Sequence, residues 1–228
     1  MEIEITLPDH VPVMTLPRVT FFPQALMPLH IFEPRYRQML CDVLASNRLF
    51  AVAGLDPARG LNEPGEFEPP HRIATVGIIR ACQKKADGTS NLLLQGLARV
   101  EFTKILADEP YRRVRIRALA SAPVADAPAA ARLRAELARL LALKKRLGAP
   151  MPPEMAEFLR TIADPETFVD IAAFSLCDDP TLKQRLLETL DIAQRLALFT
   201  HHLRAELNAL RLRRKLQGGL ADDRIADN

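Results

Sequence analysis

The stretch PVMTLPRVTFFPQALMPLHIFEPRYRQML, residues 12–40, decides how the chain begins to fold. Residues 11–16 alternate in the manner of a strand, and Pro12 puts that strand at a sheet edge, where a missing backbone donor is tolerated. Pro23 and Pro28 exclude a long helix through FFPQALMPLHIF, because each removes an intrahelical hydrogen bond and crowds the preceding turn. The spacing predicts a turn at 23–25 and a strand at about 26–32 instead. Glu33-Pro34 then opens a helix, with proline in the first turn. Tyr36, Met39, Leu40, Val43 and Leu44 follow at i, i+3, i+4, i+7 and i+8, one apolar face of a helix over about 34–46.

Working outward, Leu49 to Ala53 reads as a short strand. Residues 73–83 and 92–97 read as a hairpin closed by Asp87-Gly88, with a bulge at Gly96 before a further strand at 98–106. In 111–119, Val114, Ile116 and Ala118 alternate with Arg113, Arg115 and Arg117, as in a half-buried strand with a charged outer face. The Pro- and Gly-rich segment 56–71 is a surface loop longer than most connections. Past residue 120 leucine and alanine recur at helical spacing. After a linker at 121–128, helices are predicted at about 129–147, 153–162, 165–176 and 180–191, and a last long one runs to about 216, continuous with its predecessor or separate from it. Asp164-Pro165 and Asp179-Pro180 each pair an N-cap with a first-turn proline. The expected organisation is therefore a β-rich half over 1–120, a helical half over 121–217 and a disordered tail over 218–228.

Composition removes several classes of function. The 228 residues are 48% apolar and 26% charged, an ordinary soluble mixture, and a chain of this length can bury roughly 70% of its unfolded surface without disulfides. No apolar run approaches a membrane span, and the acidic start MEIEITLPDH does not resemble a signal peptide, so a cytoplasmic protein is expected. Residues 1–120 carry 15 basic and 13 acidic side chains, and 121–228 carry 16 and 15, so neither half has the charge of a nucleic-acid binder. Cys41, Cys82 and Cys177 are widely spaced and odd in number, which suggests three buried, reduced thiols rather than a disulfide framework or zinc site. No Gly-Lys pair exists for a phosphate loop, none of the four serines is flanked by the glycines of a nucleophile elbow, and the dinucleotide fingerprint is missing. Adjacent His201 and His202 point about 100° apart on a helix and cannot share a metal. The expectation is no catalytic residue, no metal and no cofactor.

Three segments together resemble the N-terminal, substrate-binding domain of the ATP-dependent Lon proteases. Residues 12–40 are similar to the family's "fP…PLhIFEpRYrqM" opening, with Pro23, Pro28, Leu29, Ile31, Phe32, Glu33, Arg35 and Tyr36 in matching places. In DGTSNLLLQGLARVEF, residues 87–102, Gly96 and Arg99 match the family's G-x-x-R, followed by Pro110-Tyr111. The helical segment LKQRLLETLDIAQRLALFTHHLRAEL, residues 182–207, resembles the stretch that closes the Lon N-terminal region. Motifs for the family's ATPase and its Ser-Lys protease are missing, so the resemblance implies a stand-alone domain.

That resemblance implies an α+β fold: a twisted, PUA-like pseudo-barrel followed by a helical bundle with a long last helix. It implies a non-catalytic module that binds unfolded or tagged polypeptides, with a protease or chaperone as a further partner and neither nucleic acid nor membrane. Glu33, Arg35 and Arg37 beside an apolar run, together with Phe21 and Phe22, are the expected polypeptide-binding residues. Without the resemblance, Glu33 and the arginines are explained simply as a favourable helix start with solvated neighbours. The 56–71 loop, the FFPQ turn and a groove between the two halves are candidate surfaces. The alternatives are a small-molecule or peptide sensor on a PUA-like barrel, an RNA-binding PUA-like domain, and a hydrolase without a recognised motif.

Overall fold

Strand β1 (His10–Leu16) is followed by β2 (Leu26–Ile31), helix α1 (Pro34–Leu44), β3 (Leu49–Gly54), β4 (Ile73–Lys84), β5 (Ser90–Ala107) and β6 (Arg113–Leu119). They are seen in a computed structural model that describes residues 6–56, 58–59, 69–122, 124–148 and 152–217. The expected order of strands and helix holds throughout, but β1 is not the edge strand that Pro12 suggested: it pairs with β3 on one side and β6 on the other. The main difference is that the predicted strands at 92–97 and 98–106 are one continuous strand of 18 residues. A register shift marks its middle, where Val76 faces Ala98 and Gly77 faces Gly96, so that Leu97 is the extra residue of a bulge.

The sheet runs β2-β5-β4-β3-β1-β6, and the C-terminal half of β5 also pairs with β6. That last pairing closes β5, β4, β3, β1 and β6 into a ring. The parallel pair β1–β3 needs a crossover, which β2 and α1 supply. Two cores follow from the closure. Val11, Val13, Leu49, Ala51, Val76, Val100 and Val114 fill the barrel. Phe50, Val52, Met14, Ile79 and Leu94 point the other way, into a larger core that takes in α1 and the helical half. Strand β3, LFAVAG, is buried on both faces for this reason.

Helices α2 (Ala127–Arg146), α3 (Pro153–Thr161), α4 (Pro165–Leu176), α5 (Pro180–Glu188) and α6 (Ile192–Gln217) make up the helical half. Asp164 and Asp179 cap α4 and α5 as expected, accepting from the Thr167 N–H at 2.7 Å and the Thr181 N–H at 2.9 Å. Asp126 does the same for α2 from the Ala129 N–H at 2.8 Å. α5 and α6 are separate, because Thr189 turns to extended backbone and Asp191 starts a new cap on the Gln194 N–H at 2.8 Å. The cysteine expectation is corrected: Cys177 is buried, but Cys41 and Cys82 are exposed. Cys41 lies off the Tyr36–Met39–Leu40–Val43 face of α1, and Cys82 lies in the exposed C-terminal part of β4. The tail and most of the 56–71 loop fall outside the described residues.

The two halves are joined by buried charge as well as apolar surface. Arg99 on β5 donates to Asp170 of α4 at 2.6 Å, to Glu166 at 3.2 Å and to the Leu187 carbonyl at 3.1 Å. Arg195 on α6 donates to the same Asp170 oxygen at 2.9 Å, to the Thr189 carbonyl at 2.9 Å and to the Ser121 hydroxyl at 3.0 Å. Ser121 in turn donates to Glu166. Arg99, Asp170 and Arg195 are 2%, 1% and 0% exposed, so none is shielded by water. Burial pushes the Asp170 carboxyl up and the Arg195 guanidinium down, in each case against the pull of its partners. Two cations facing two carboxylates offset those costs, and removing one member leaves the others uncompensated. Arg99→Ala is expected to cost about 3–5 kcal/mol and lower Tm by roughly 6–20 °C in a circular-dichroism melt. Arg117→Ala removes a largely exposed arginine and leaves the buried Glu101 still paired with Arg72, so it is expected to lower Tm by no more than about 4 °C.

Candidate functional site

β2 pairs with β5 on one side and forms an end of the sheet. Its residues alternate. Met27 and Ile31 enter the large core, whereas Leu26, Pro28 and His30 face outward opposite Gln95, Leu93 and Asn91. Gln95 also lies opposite Ile78, which packs against the barrel interior. The outward face of β2 is thus the barrel-lumen face of the sheet, continued past the point where the barrel closes. Side chains that would be enclosed there meet solvent here.

The result is an exposed apolar ridge. Leu26 is 52% and Phe32 59% exposed, and Pro28 and His30 lie on the surface between them. The His30 ring stacks on Phe32 with centroids 6.0 Å apart, and its Nδ1 lies 2.7 Å from the Asn91 amide oxygen. Phe32 is therefore held against the strand.

Charge borders this ridge. Glu33 is the extended N-cap residue of α1 and makes no side-chain capping bond. It accepts instead from Arg35 Nε at 2.9 Å, and the Arg35 guanidinium lies 4.6 Å over the Tyr36 ring. The Tyr36 hydroxyl donates to the Thr15 carbonyl at 3.3 Å, tying α1 to β1. Arg37 is exposed and reaches the β4–β5 turn, where a β-carbon on Gly88 would overlap its guanidinium. Gly88 has φ of +80°, so glycine suits that turn on both counts. The fold places Glu33 and Arg35 together at the start of α1, next to Phe32 in sequence, and Arg37 one turn on against the hairpin tip.

Phe21 and Phe22 are not part of this surface, which corrects the expectation for them. They are 1% and 0% exposed. Phe21 meets Phe174 of α4 edge-on at 6.2 Å, and its carbonyl accepts from the Thr75 hydroxyl at 2.6 Å. The Phe22 carbonyl lies so close to Gly96 that a β-carbon there would strike it. The exposed members Leu26, Pro28, His30 and Phe32 escape the sequence reading because an apolar alternation does not say which of its faces is covered.

The expected groove between the halves is present, a cleft of about 390 Å³ between the barrel and α5. Arg18, Asp56, His71, Gln184 and Arg185 line it. Gln184 donates to the Ile73 carbonyl at 3.0 Å and to Glu188 at 2.8 Å, joining α5 to β4. Among the described residues there is no group of three or more His, Cys, Asp or Glu side chains placed to hold a metal ion, and no helix is long and apolar enough to cross a membrane.

A closed barrel with an edge extension, docked on a helical bundle, defines an α+β class also found in solved Lon N-terminal domains. The N-terminal domain of Mycobacterium avium complex Lon protease superposes with a TM-score of 0.65 at 20% identity, over 86% of this chain and 98% of that one. The Lon N-terminal domain protein from Xanthomonas campestris gives 0.59 at 19% identity, over 82% and 95%. The sequence goes further. Residues 10–205 match the ATP-dependent protease La (LON) substrate-binding domain, and the chain belongs to that family. It is 31% identical over 219 residues to the Lon protease of Syntrophus aciditrophicus, covering 95% of this chain and 28% of the relative. It is 26% identical over 220 residues to the Lon protease of Dictyoglomus thermophilum, covering 95% and 27%. The chain thus spans a little over a quarter of the length of these relatives.

The two phenylalanine environments call for opposite responses. Phe32→Ser should change stability by no more than about 0.5 kcal/mol, while Phe22→Ser should cost about 3–5 kcal/mol, both measured by urea denaturation.

Proposed function

We propose that this chain is a non-catalytic module that binds unfolded or tagged polypeptide segments along the outer face and edge of β2. The observation that carries the reading is the ridge of Leu26, Pro28, His30 and Phe32 on an edge strand. A non-native chain offers apolar side chains and unpaired backbone groups, and an exposed strand edge with apolar pockets answers both. Glu33, Arg35 and Arg37 border the ridge, keep it soluble and choose among flanking charges of the bound segment. Membership of a substrate-binding family supports the same role. Acting alone, the protein recognises a chain without cutting it or hydrolysing ATP, and it serves a protease or chaperone as the part that holds substrate. Nucleic acid and membrane are not its partners, and its place is the cytoplasm.

Binding is measured by fluorescence anisotropy with labelled, reduced and carboxymethylated α-lactalbumin, which stays unfolded in native buffer. Saturable binding is expected, and Leu26→Ser/Phe32→Ser should weaken it about tenfold or more, as for two central apolar anchors. Casein should remain intact with and without ATP. Failure to bind, equal binding by the double variant, or casein cleavage by the purified protein would each refute the proposal.

A further inference from the structure

The helical half holds a second surface of different chemistry. A cleft of about 560 Å³ lies between α2, α3 and α4. Leu141, Leu159 and Phe168 form its floor and are 3%, 5% and 1% exposed. The small side chains of Ala138, Ala142 and Ala156 leave it open. Its charged lining is Arg134, Arg139, Lys145, Arg146 and Arg160, with no carboxylate among the lining residues. Among the described residues none of these five cations is in an ion pair. This sets them apart from neighbouring Lys144, which is 2.8 Å from Glu206, and Arg204, which pairs with Glu136.

The helix macrodipole accounts for cations in the last turn of α2. The same holds for Arg160 in the last turn of α3, but not for Arg134 and Arg139, which lie earlier in α2 and face the same space. Arg134 is positioned, lying 4.6 Å over the Phe168 ring and donating to the Ile162 carbonyl. Its Nε is buried without a hydrogen-bond partner among the described residues. Five cations that are in no ion pair among the described residues, set around an apolar lining, make the trough strongly positive.

We propose that this cleft docks an acidic amphipathic helix from a partner protein. The twelve steps of helix from Arg134 to Arg146 rise about 18 Å, the length of roughly three turns of a guest helix. Apolar residues at i, i+3, i+4 and i+7 of the guest pack on Ala138, Ala142 and Ala156 above the buried Leu141, Leu159 and Phe168, while its carboxylates meet cations along both sides. A fatty acid brings one carboxylate to five cations. A nucleic acid brings charge but no aliphatic face for the floor. The acidic helix supplies both, and the cleft is separate from the β2 ridge, so each stands without the other.

The test uses the full chain and fluorescein-labelled peptides of about 18 residues, roughly 27 Å as a helix, which spans the trough with nearly a turn to spare at each end. One peptide has Leu and Glu at amphipathic helical spacing, a second has the same composition scrambled, and a third has Lys in place of Glu. The first should bind saturably and more tightly at low salt, with the other two at least tenfold weaker. Arg139→Glu/Arg146→Glu, and separately Arg160→Glu on α3, should weaken the first peptide at least tenfold with an unchanged far-ultraviolet spectrum. Arg113→Glu/Arg115→Glu on the barrel wall should change it less than twofold. Absence of binding by the first peptide, equal binding by the scrambled one, or an equal loss in the barrel-wall variant would overturn the proposal.

Discussion

Asp170 holds the molecule together from the inside. One of its oxygens accepts from a guanidinium on β5 and from another on α6, and all three groups are shut away from water. A lone carboxylate could not be buried so deeply in its charged form, and neither arginine could. Each is tolerated because the others are present, so the charges act as a fitting that closes only when the bundle sits at one place on the barrel. Carbonyls of Leu187 and Thr189, at the end of α5 and just beyond it, complete the arginines' hydrogen bonds. The break between α5 and α6 is thus part of the same joint.

Because the bundle covers the outer face of the barrel there, the length of β5 acquires its consequence. Its C-terminal half closes the ring with β6, and its N-terminal half runs on beyond the closure with β4 and β2. One face of this extension is covered by α1 and the large core, and the other continues the barrel lumen without a barrel around it. The exposed apolar ridge is therefore built into the topology. A shorter β5 would leave no edge strand to carry Leu26 and Phe32, and a wider barrel would enclose them.

Much of this could be read in the residues because local chemistry determined it. Pro23 and Pro28 ruled out a long helix, and Asp164 and Asp179 before prolines announced helix starts that the structure contains. Glu33 and Arg35 do meet at one helix start, next to an apolar residue in sequence, as their spacing implied, with Arg37 one turn on. What stayed hidden depended on closure and on distant partners. Phe21 and Phe22 follow a proline-rich strand exit and lie next to a turn, yet the bundle lies on that side, with Phe174 more than 150 residues away in sequence. Arg99 was visible as part of a family motif, but its partners are 67 to 88 residues distant, and Arg195 looked like one more cation on a helix. The five cations of the α2–α3 cleft were indistinguishable by sequence from those paired elsewhere.

The two surfaces obey different physics. An exposed edge strand with apolar side chains invites uncontrolled pairing between copies, and natural sheets restrain such edges with proline and charge. Pro28 supplies the first, lacking an N–H to offer a further strand, and the Glu33–Arg37 cluster supplies the second at the end of the ridge. What remains is a short segment with side-chain contacts and a few backbone groups, suited to brief contact with many sequences. Its affinity comes from apolar area and should change little with salt. The cleft on the bundle is the converse: among the described residues its cations lie outside any ion pair, so the proposed recognition there demands a matching pattern of charge and weakens as ions screen it. On the two proposals, such a module has a promiscuous surface for substrate and a selective one for a particular partner. Because they lie on different halves, the Arg99–Asp170–Arg195 joint fixes their relative positions.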